Sequence, residues 1–151
     1  MTARAAPADA LFRDWAKTAG IQLPKPGDYA VAMCFLPQDE AARDFAMRQF
    51  ENFLTKSKQK LLGWRDVPTN PEGLGKAVLA GMPVIRQAVI AKGSPDMSQD
   101  AFERKLLAIR KETQNPLESE ARRPELPGMS DFYVVSLSTR PMLVHVWSSS
   151  V

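Results

Sequence analysis

Two side chains in this sequence could act as nucleophiles, and the residues around them argue against both. Cys34 is the only cysteine among 151 residues, and it lies inside the apolar run 31–36 with no cation or histidine nearby in sequence. A thiol without such a neighbour has no evident way to lower its pKa, so we expect Cys34 to be buried and inert. Thr2 would become amino-terminal if Met1 were removed, but residues 2–7 show no strand pattern that would hold it in place.

The residues that could bind a metal ion or transfer protons are also poorly placed. His145 is the only histidine, and no cysteine or carboxylate stands at ligand spacing from it. Asp39 and Glu40 are adjacent acids, but Asp39 is positioned to cap a helix, and residues 118–120 (Glu-Ser-Glu) lie in a polar loop. Neither pair has the apolar enclosure that raises a carboxyl pKa for acid–base catalysis. The sequence therefore predicts no catalytic, cofactor-binding or metal-binding residue.

The most informative polar residues are three in a row, Trp64, Arg65 and Asp66. Gly63 and two leucines precede them, and residues 67–70 (Val-Pro-Thr-Asn) follow. Proline has no backbone N–H to donate to a neighbouring strand, and asparagine favours turns, so the strand is expected to end here. We interpret the segment as a short buried strand that leaves a sheet through a polar corner. Trp64 would supply burial, while Arg65 and Asp66 would point to opposite faces and anchor the following loop, which is more often a structural than a catalytic arrangement.

Apolar periodicity predicts the elements that position these residues. Asp9 is expected to cap a first helix, which ends at Gly20. Asp39 is expected to cap a second helix, which ends near residue 56, and Ser98 is expected to cap a third, whose outer face is basic. A single helical turn near residues 77–80 and a polar loop over 114–130 complete the connections. The predicted strands are residues 29–36, 60–65, 84–91 and 132–138. Strand 29–36 is apolar throughout, so it is expected to be central with both faces covered.

Composition and charge exclude several classes of protein. The formal charge is +3 and the pI is near 9.2, but no stripe of Lys and Arg with interleaved aromatics indicates nucleic-acid binding. No apolar run reaches the roughly 18 residues of a membrane span, and the amino terminus lacks the apolar core of a secretory signal. A single cysteine fits a reducing compartment, so we expect a cytoplasmic protein. Irregular alternation of helices and strands, without a phosphate-cradling glycine motif, favours an α+β fold.

The segment GWRDVPTN at residues 63–70 resembles a signature of the amino-terminal glutaminase domain of bacterial glutamate synthase large subunits. Four other segments resemble the same family in the same order, so the likeness covers roughly residues 9–140 and is more specific than one short motif. They are GDYAVAMCFLP (27–37), PVIRQAVI (83–90), the basic helix at 103–111, and DFYVVSLS (131–138).

The resemblance implies a fold and a domain organisation. It implies a class-II glutamine amidotransferase domain with the N-terminal-nucleophile hydrolase fold, a four-layer αββα sandwich that is present here only in part, with incomplete sheets. Residues 1–140 would form the partial amidotransferase domain. Residues 141–151 would be a divergent tail, because the family usually continues here with a hydroxyl residue, two aliphatics and Tyr-Lys-Gly.

The family's chemistry cannot be placed on residues of this sequence. In the family an amino-terminal cysteine attacks the glutamine amide with its own α-amine as base, an Asn-Gly pair stabilises the oxyanion, and an arginine holds the substrate carboxylate. The cysteine start and the segments Arg-Phe-Ser-Thr-Asn and His-Asn-Gly-Glu that carry these groups do not occur here. FMN and an iron–sulfur cluster would belong to other domains of the parent protein, so no cofactor is expected in this chain.

Three interpretations follow. The chain is an interior fragment of a glutamate synthase glutaminase domain, inactive alone, whose partners are the remaining domains or subunits and whose parent substrate is glutamine. Alternatively, it is a non-catalytic protein-interaction module, or the product of a decayed gene. The fragment interpretation predicts unpaired strand edges and exposed apolar faces, with strand 29–36 the clearest case, and hence aggregation or binding of a hydrophobic dye.

Overall fold

The computed structural model describes residues 6–67, 75, 82–114 and 132–140. The predicted turn at 77–80, the loop beyond residue 114, and residues 1–5 and 141–151 lie outside this part of the chain. The elements in chain order are α1 (Ala6–Ala19), β1 (Tyr29–Leu36), α2 (Glu40–Lys56), β2 (Lys60–Asp66), β3 (Val84–Ala91), α3 (Gln99–Thr113) and β4 (Tyr133–Ser138).

The strands form a four-stranded sheet in the order β2-β3-β1-β4. All three pairings are antiparallel, and β1 lies between β3 and β4. Strands joined through helices into one antiparallel sheet confirm the predicted α+β class. Of the four layers that the family resemblance implies, the described residues show this sheet and its helices.

The two faces of β1 are covered by different helices. Ala30, Ala32, Cys34 and Leu36 belong to a core cluster with the buried residues of α2 and α3. On the opposite face, a second cluster joins Tyr29, Val31 and Val89 to Phe12 of α1, whose ring is completely buried. Burying one such aromatic side chain contributes about 2–3 kcal/mol. β1 is therefore central, as its composition predicts.

The expected exposed apolar face on strand 29–36 is not observed. Seven of the eight residues of β1 are buried, because α1 folds back across the face that α2 and α3 leave open. Leu107 and Tyr133 are the large apolar side chains that are exposed in the described part of the chain. The physical basis for expecting dye binding at β1 is therefore absent.

Two of the predicted helix caps are confirmed, and one is wrong. Asp39 accepts the Ala42 N–H at 2.9 Å, and Ser98 accepts the Ala101 N–H at 3.1 Å. Gly20 follows α1 with a φ of +73°, the left-handed conformation that glycine adopts without strain. Asp9, however, lies inside α1, which begins at Ala6. The helix starts earlier because a proline such as Pro7 is tolerated in a first turn, where its missing N–H would have no helical partner.

Two β-bulges alter the side-chain pattern that strict alternation predicts. In β4 the pairing with β1 shifts so that Val134 and Leu137, three residues apart, are both buried, whereas Ser136 is exposed. In β2 the shift falls between Leu61 and Gly63. β2 is also less buried than the short buried strand that we predicted, because it is the outer strand of the described sheet and its inner residues are half-buried.

None of the helices in the described ranges is long and apolar enough to cross a membrane.

Candidate functional site

A set of polar contacts surrounds Trp64, Arg65 and Asp66 at the end of β2. Trp64 points toward α2, where its indole Nε1 donates to a carboxylate oxygen of Glu51 at 2.8 Å. Its ring lies 5.9 Å from that of Phe50, at an angle of 59°, a tilted geometry that aromatic pairs prefer. Trp64 therefore holds β2 against α2 through one apolar and one polar contact.

Arg65 points to the opposite face, toward α1. Its Nη1 donates to the amide oxygen of Gln87 on β3 at 2.8 Å, and its guanidinium carbon lies 5.9 Å from the ring centre of Phe12. Burial lowers the pKa of the Arg65 guanidinium, because removal from water disfavours the charged form. The contacts with Gln87 and Phe12 partly compensate for that loss of hydration.

Asp66 returns to the α2 side and pairs with Arg86, whose Nε donates to its carboxylate at 2.8 Å. The Asp66 side chain is 80% exposed, so this ion pair contributes little stability. Arg86 also contacts the sulfur of Met47 on α2 through its Nη1, at 3.1 Å. The predicted alternation of Arg65 and Asp66 between faces is confirmed, and their partners within the described residues lie on β3. The loop that they were expected to anchor lies outside the described residues.

Cys34 lies in the middle of β1, where burial raises the pKa of its thiol. It is completely buried in the core cluster beneath α2 and α3, which confirms the predicted burial. Arg86 is its register partner on β3, a neighbour that sequence reasoning did not find, but the Arg86 side chain is directed to Asp66 and Met47. A buried neutral thiol is a poor nucleophile.

The remaining residues considered for chemistry are not brought together. Thr2, His145, Glu118 and Glu120 lie outside the described residues. Asp39 serves as a helix cap. Within the described ranges, His, Cys, Asp and Glu side chains form no group of three that could hold a metal ion. The absence of catalytic, cofactor-binding and metal-binding residues from this chain stays a prediction.

One polar cluster was not found from the sequence. Glu103 of α3 accepts hydrogen bonds from the hydroxyl of Ser138 and from the backbone N–H of Thr139, both at 3.0 Å. Gln99 donates to the hydroxyl of the buried Thr139 at 2.9 Å. Two adjacent hydroxyl residues at the end of β4, Ser138 and Thr139, are visible in the sequence as possible hydrogen-bond donors. Their acceptor, Glu103, could not be identified from the sequence, because its position depends on how α3 packs on the sheet. The cluster fixes the chain where it leaves β4.

Comparison with known proteins places these features in a family. The profile of the family described as glutamine amidotransferases class-II matches residues 4–146. The chain is 34% identical over 135 residues to the glutamate synthase [NADPH] large chain of Bacillus subtilis (strain 168), covering 89% of this chain and 8% of that protein. It is 32% identical over 133 residues to the chloroplastic ferredoxin-dependent glutamate synthase of Oryza sativa subsp. japonica, and this match covers 88% of this chain and 8% of that protein.

A third relative is the glutamate synthase [NADH] of Schizosaccharomyces pombe, with 35% identity over 107 residues, 67% of this chain and 5% of that protein. The chain thus spans about 8% of the length of the first curated relatives it matches. A single family profile accounts for nearly the whole sequence, including the segments before and after the Trp64 corner, the group formed by Trp64, Arg65 and Asp66. The chain belongs to the class-II glutamine amidotransferase family.

Proposed function

We propose that this chain forms part of the glutaminase domain of a glutamate synthase. In that reaction, glutamine and water give glutamate and ammonia, and the ammonia is transferred to 2-oxoglutarate. A two-electron donor reduces the resulting adduct, which yields a second glutamate and water. The observation that carries the proposal is the match of residues 4–146 to the amidotransferase family, together with the glutamate synthases among the relatives.

The role we assign to the described residues is structural. The Trp64 corner, the Arg65–Gln87 contact and the Glu103 cluster each join two elements by specific hydrogen bonds. Such contacts fix the relative positions of strands and helices, and thereby of any catalytic groups mounted on them. The nucleophile, its base and the oxyanion donors would come from other polypeptide of a glutamate synthase, either further domains or other subunits, which are also the partners that we propose.

We also propose that the chain alone does not hydrolyse glutamine. Cys34 cannot replace the family's amino-terminal cysteine, because it lies in the interior of β1 and is inaccessible. It also lacks the adjacent α-amine that serves as the base in this family. The interpretation as a non-catalytic interaction module remains the alternative.

The cofactors of the parent reaction are proposed to bind elsewhere. Iron–sulfur clusters are held by several cysteine thiolates, and this sequence contains one cysteine, so its residues do not fit a cluster. FMN is assigned to other domains through the family resemblance alone. The single cysteine, which fits a reducing compartment, supports the proposal of a cytoplasmic location.

A chimera tests the proposed function. Residues 9–140 would replace the corresponding segment of the Bacillus subtilis glutamate synthase large chain, whose own catalytic cysteine is retained. We expect glutamine hydrolysis within about tenfold of the parent, equivalent to about 1.4 kcal/mol, because the transplanted sheet positions the same groups. A matched chimera in which the catalytic cysteine is replaced by alanine gives the background.

Two results would contradict the proposal. One is a folded chimera, shown by a cooperative melt, that has no glutaminase activity above that background. The other is ammonia release from glutamine by the isolated chain that disappears in Cys34→Ala. The second result would assign catalysis to Cys34 instead.

A further inference from the structure

Within the described residues, the four strands and the helices α2 and α3 form two interleaved β-α-β units. α2 joins β1 to β2, and these strands lie on either side of β3. α3 joins β3 to β4, and these strands lie on either side of β1. This βαββαβ arrangement recurs as a folding unit in many proteins, and the described residues supply all of its elements.

The arrangement has a hydrophobic core of its own. Phe50 of α2 and Phe102 of α3 are completely buried on one face of the sheet. α1 covers the other face with Phe12 and lies directly on β2, because a Cβ built on Gly63 would be 3.1 Å from the ring of Trp15. A separate folding unit needs a core of this kind, so we treat the elements from α1 to β4 as one unit.

The chain enters and leaves this unit at one corner of the sheet. Val31, near the start of β1, is the register partner of Ser138, the last residue of β4. Antiparallel partners lie about 5 Å apart. α1 begins beside the same corner, because Asp9 in its first turn accepts a hydrogen bond at 2.7 Å from Tyr29, the first residue of β1. The entry and the exit are therefore adjacent.

Polar contacts hold the entering and the leaving chain together at this corner. Gln99 donates through its Nε2 to the hydroxyl of Thr139, just beyond β4. The same amide lies against the chain ahead of β1, because a Cβ built on Gly27 would be 3.3 Å from its oxygen. Glu103 accepts hydrogen bonds from Ser138 and Thr139. We call this group the neck: Gly27, Gln99, Glu103, Ser138 and Thr139.

We propose that the unit from α1 to β4 is an accessory module, inserted through this neck into a glutaminase domain whose catalytic groups all lie outside the module. Insertion of one folding unit into another succeeds where entry and exit are close together, because the host chain is then interrupted at a single point. The inference rests on the proposed function and deepens it, since it identifies which part of the glutaminase domain this chain supplies.

A deletion in the Bacillus subtilis glutamate synthase large chain tests the proposal. The segment that matches residues 9–138 is replaced by about eight Gly and Ser residues, which span about 16 Å on average. We expect a folded protein that hydrolyses glutamine within about a hundredfold of the unmodified large chain, because the catalytic groups remain and only their positions are disturbed. The same deletion with the catalytic cysteine replaced by alanine gives the background.

The matched control is a shorter deletion in the same large chain. It removes only the segment that matches residues 40–66, which are α2 and β2, and it carries the same linker. This deletion opens the core and leaves β3 without its outer neighbour, so it should abolish the fold or reduce glutamine hydrolysis to the background. The longer deletion should therefore be the milder one.

The long deletion is also made with a linker of about sixteen residues, in case the shorter linker strains the neck. Loss of the fold or of hydrolysis with both linkers would overturn the proposal, because the sheet would then belong to the catalytic core. Equal or better tolerance of the shorter deletion would overturn it as well, since α2 and β2 would not be integral to one unit.

The chimera described above separates this inference from the proposed function. An active chimera beside inactive long deletions would leave the proposed function standing and would rule out an inserted module. A folded chimera without glutaminase activity, beside an active long deletion, would contradict the proposed function instead.

Discussion

Arg65 and Gln87 are directly opposite one another on neighbouring antiparallel strands, and the guanidinium donates to the amide oxygen at 2.8 Å. Gln87 is 2% exposed, so this contact lies between the sheet and α1. It is the point at which the family's signature segment connects to the segment that follows it in sequence. A charge in this position requires an acceptor, because burial of an unsatisfied polar group is expensive.

The first prediction concerns this pair. Gln87→Leu should lower the free energy of unfolding by about 1–3 kcal/mol, because the half-buried guanidinium loses its acceptor. Arg65→Met with Gln87→Leu should be less destabilised than the sum of the two single variants, since both partners are then apolar. Urea unfolding of the four proteins in a double-mutant cycle measures the coupling. Additive effects would show that Arg65 and Gln87 do not stabilise one another.

A second prediction concerns Gly93, where the chain passes the carboxyl end of α2. A Cβ at this position would overlap the backbone oxygen of Lys58, and the Gly93 N–H donates to Gln59 at 2.9 Å. Gly93→Ala should therefore destabilise the chain by more than about 2 kcal/mol, because neither backbone segment can move without breaking that hydrogen bond.

Gly75→Ala is its control, since no atom of the described residues lies within 4 Å of a Cβ built there. That substitution should change the free energy of unfolding by less than about 0.5 kcal/mol. Thermal melts of the two variants give the comparison. Equal melting temperatures would contradict the close approach between Gly93 and Lys58.

Several elements could be predicted from the sequence because local patterns determine them. The apolar run predicts the observed bounds of β1, and the Asp39 cap predicts the observed start of α2. The bounds of β3 also match the prediction, although Arg86 and Gln87 interrupt its apolar pattern. The Asp39 and Ser98 caps satisfy N–H groups within three residues. Such features involve neighbours along the chain, so no knowledge of tertiary contacts is needed.

The features that could not be predicted depend on contacts between distant segments. The bulge in β4 arises from its pairing with β1, and the position of Arg86 opposite Cys34 follows from the register of β3. Local sequence indicates Asp9 as a helix cap. Its actual partner Tyr29 lies twenty residues away and is not evident from neighbouring residues. Pairing register and helix placement are tertiary properties.

A third prediction concerns Cys34. Its thiol should not react with Ellman's reagent in the native chain at pH 8, and it should react at once in concentrated guanidinium chloride, because burial both raises its pKa and blocks access. Rapid native reaction would contradict the core position of Cys34.

The raised pKa of the Cys34 thiol also has a consequence for stability. The unfolded thiol ionises above about pH 8.5 while the folded thiol stays protonated, so stability is lost as the pH rises above that value. Cys34→Ala should remove this contribution.

The last prediction concerns Asp9, whose pKa is lowered mainly by the hydrogen bonds from Arg13 and further by that from Tyr29. Arg13 donates to both carboxylate oxygens, at 2.9 and 3.0 Å, and the Tyr29 hydroxyl donates at 2.7 Å. Arg13 also reaches the carbonyl oxygens of Leu23 and Pro24, so the carboxylate holds α1, the following turn and β1 together.

Because the folded pKa of Asp9 lies below the unfolded value of about 3.9, its contribution to stability is present above that pH and is lost as the pH falls below it. Asp9→Asn should therefore destabilise the chain at pH 7, and the difference from the unmodified chain should shrink as the pH approaches 3. Tyr29→Phe keeps the ionised carboxylate and the Arg13 contacts, so it should cost only about 1 kcal/mol at pH 7. Urea unfolding between pH 3 and 7 measures all three proteins. A constant difference between Asp9→Asn and the unmodified chain across that range would show that ionisation of Asp9 does not contribute to holding α1 on the sheet.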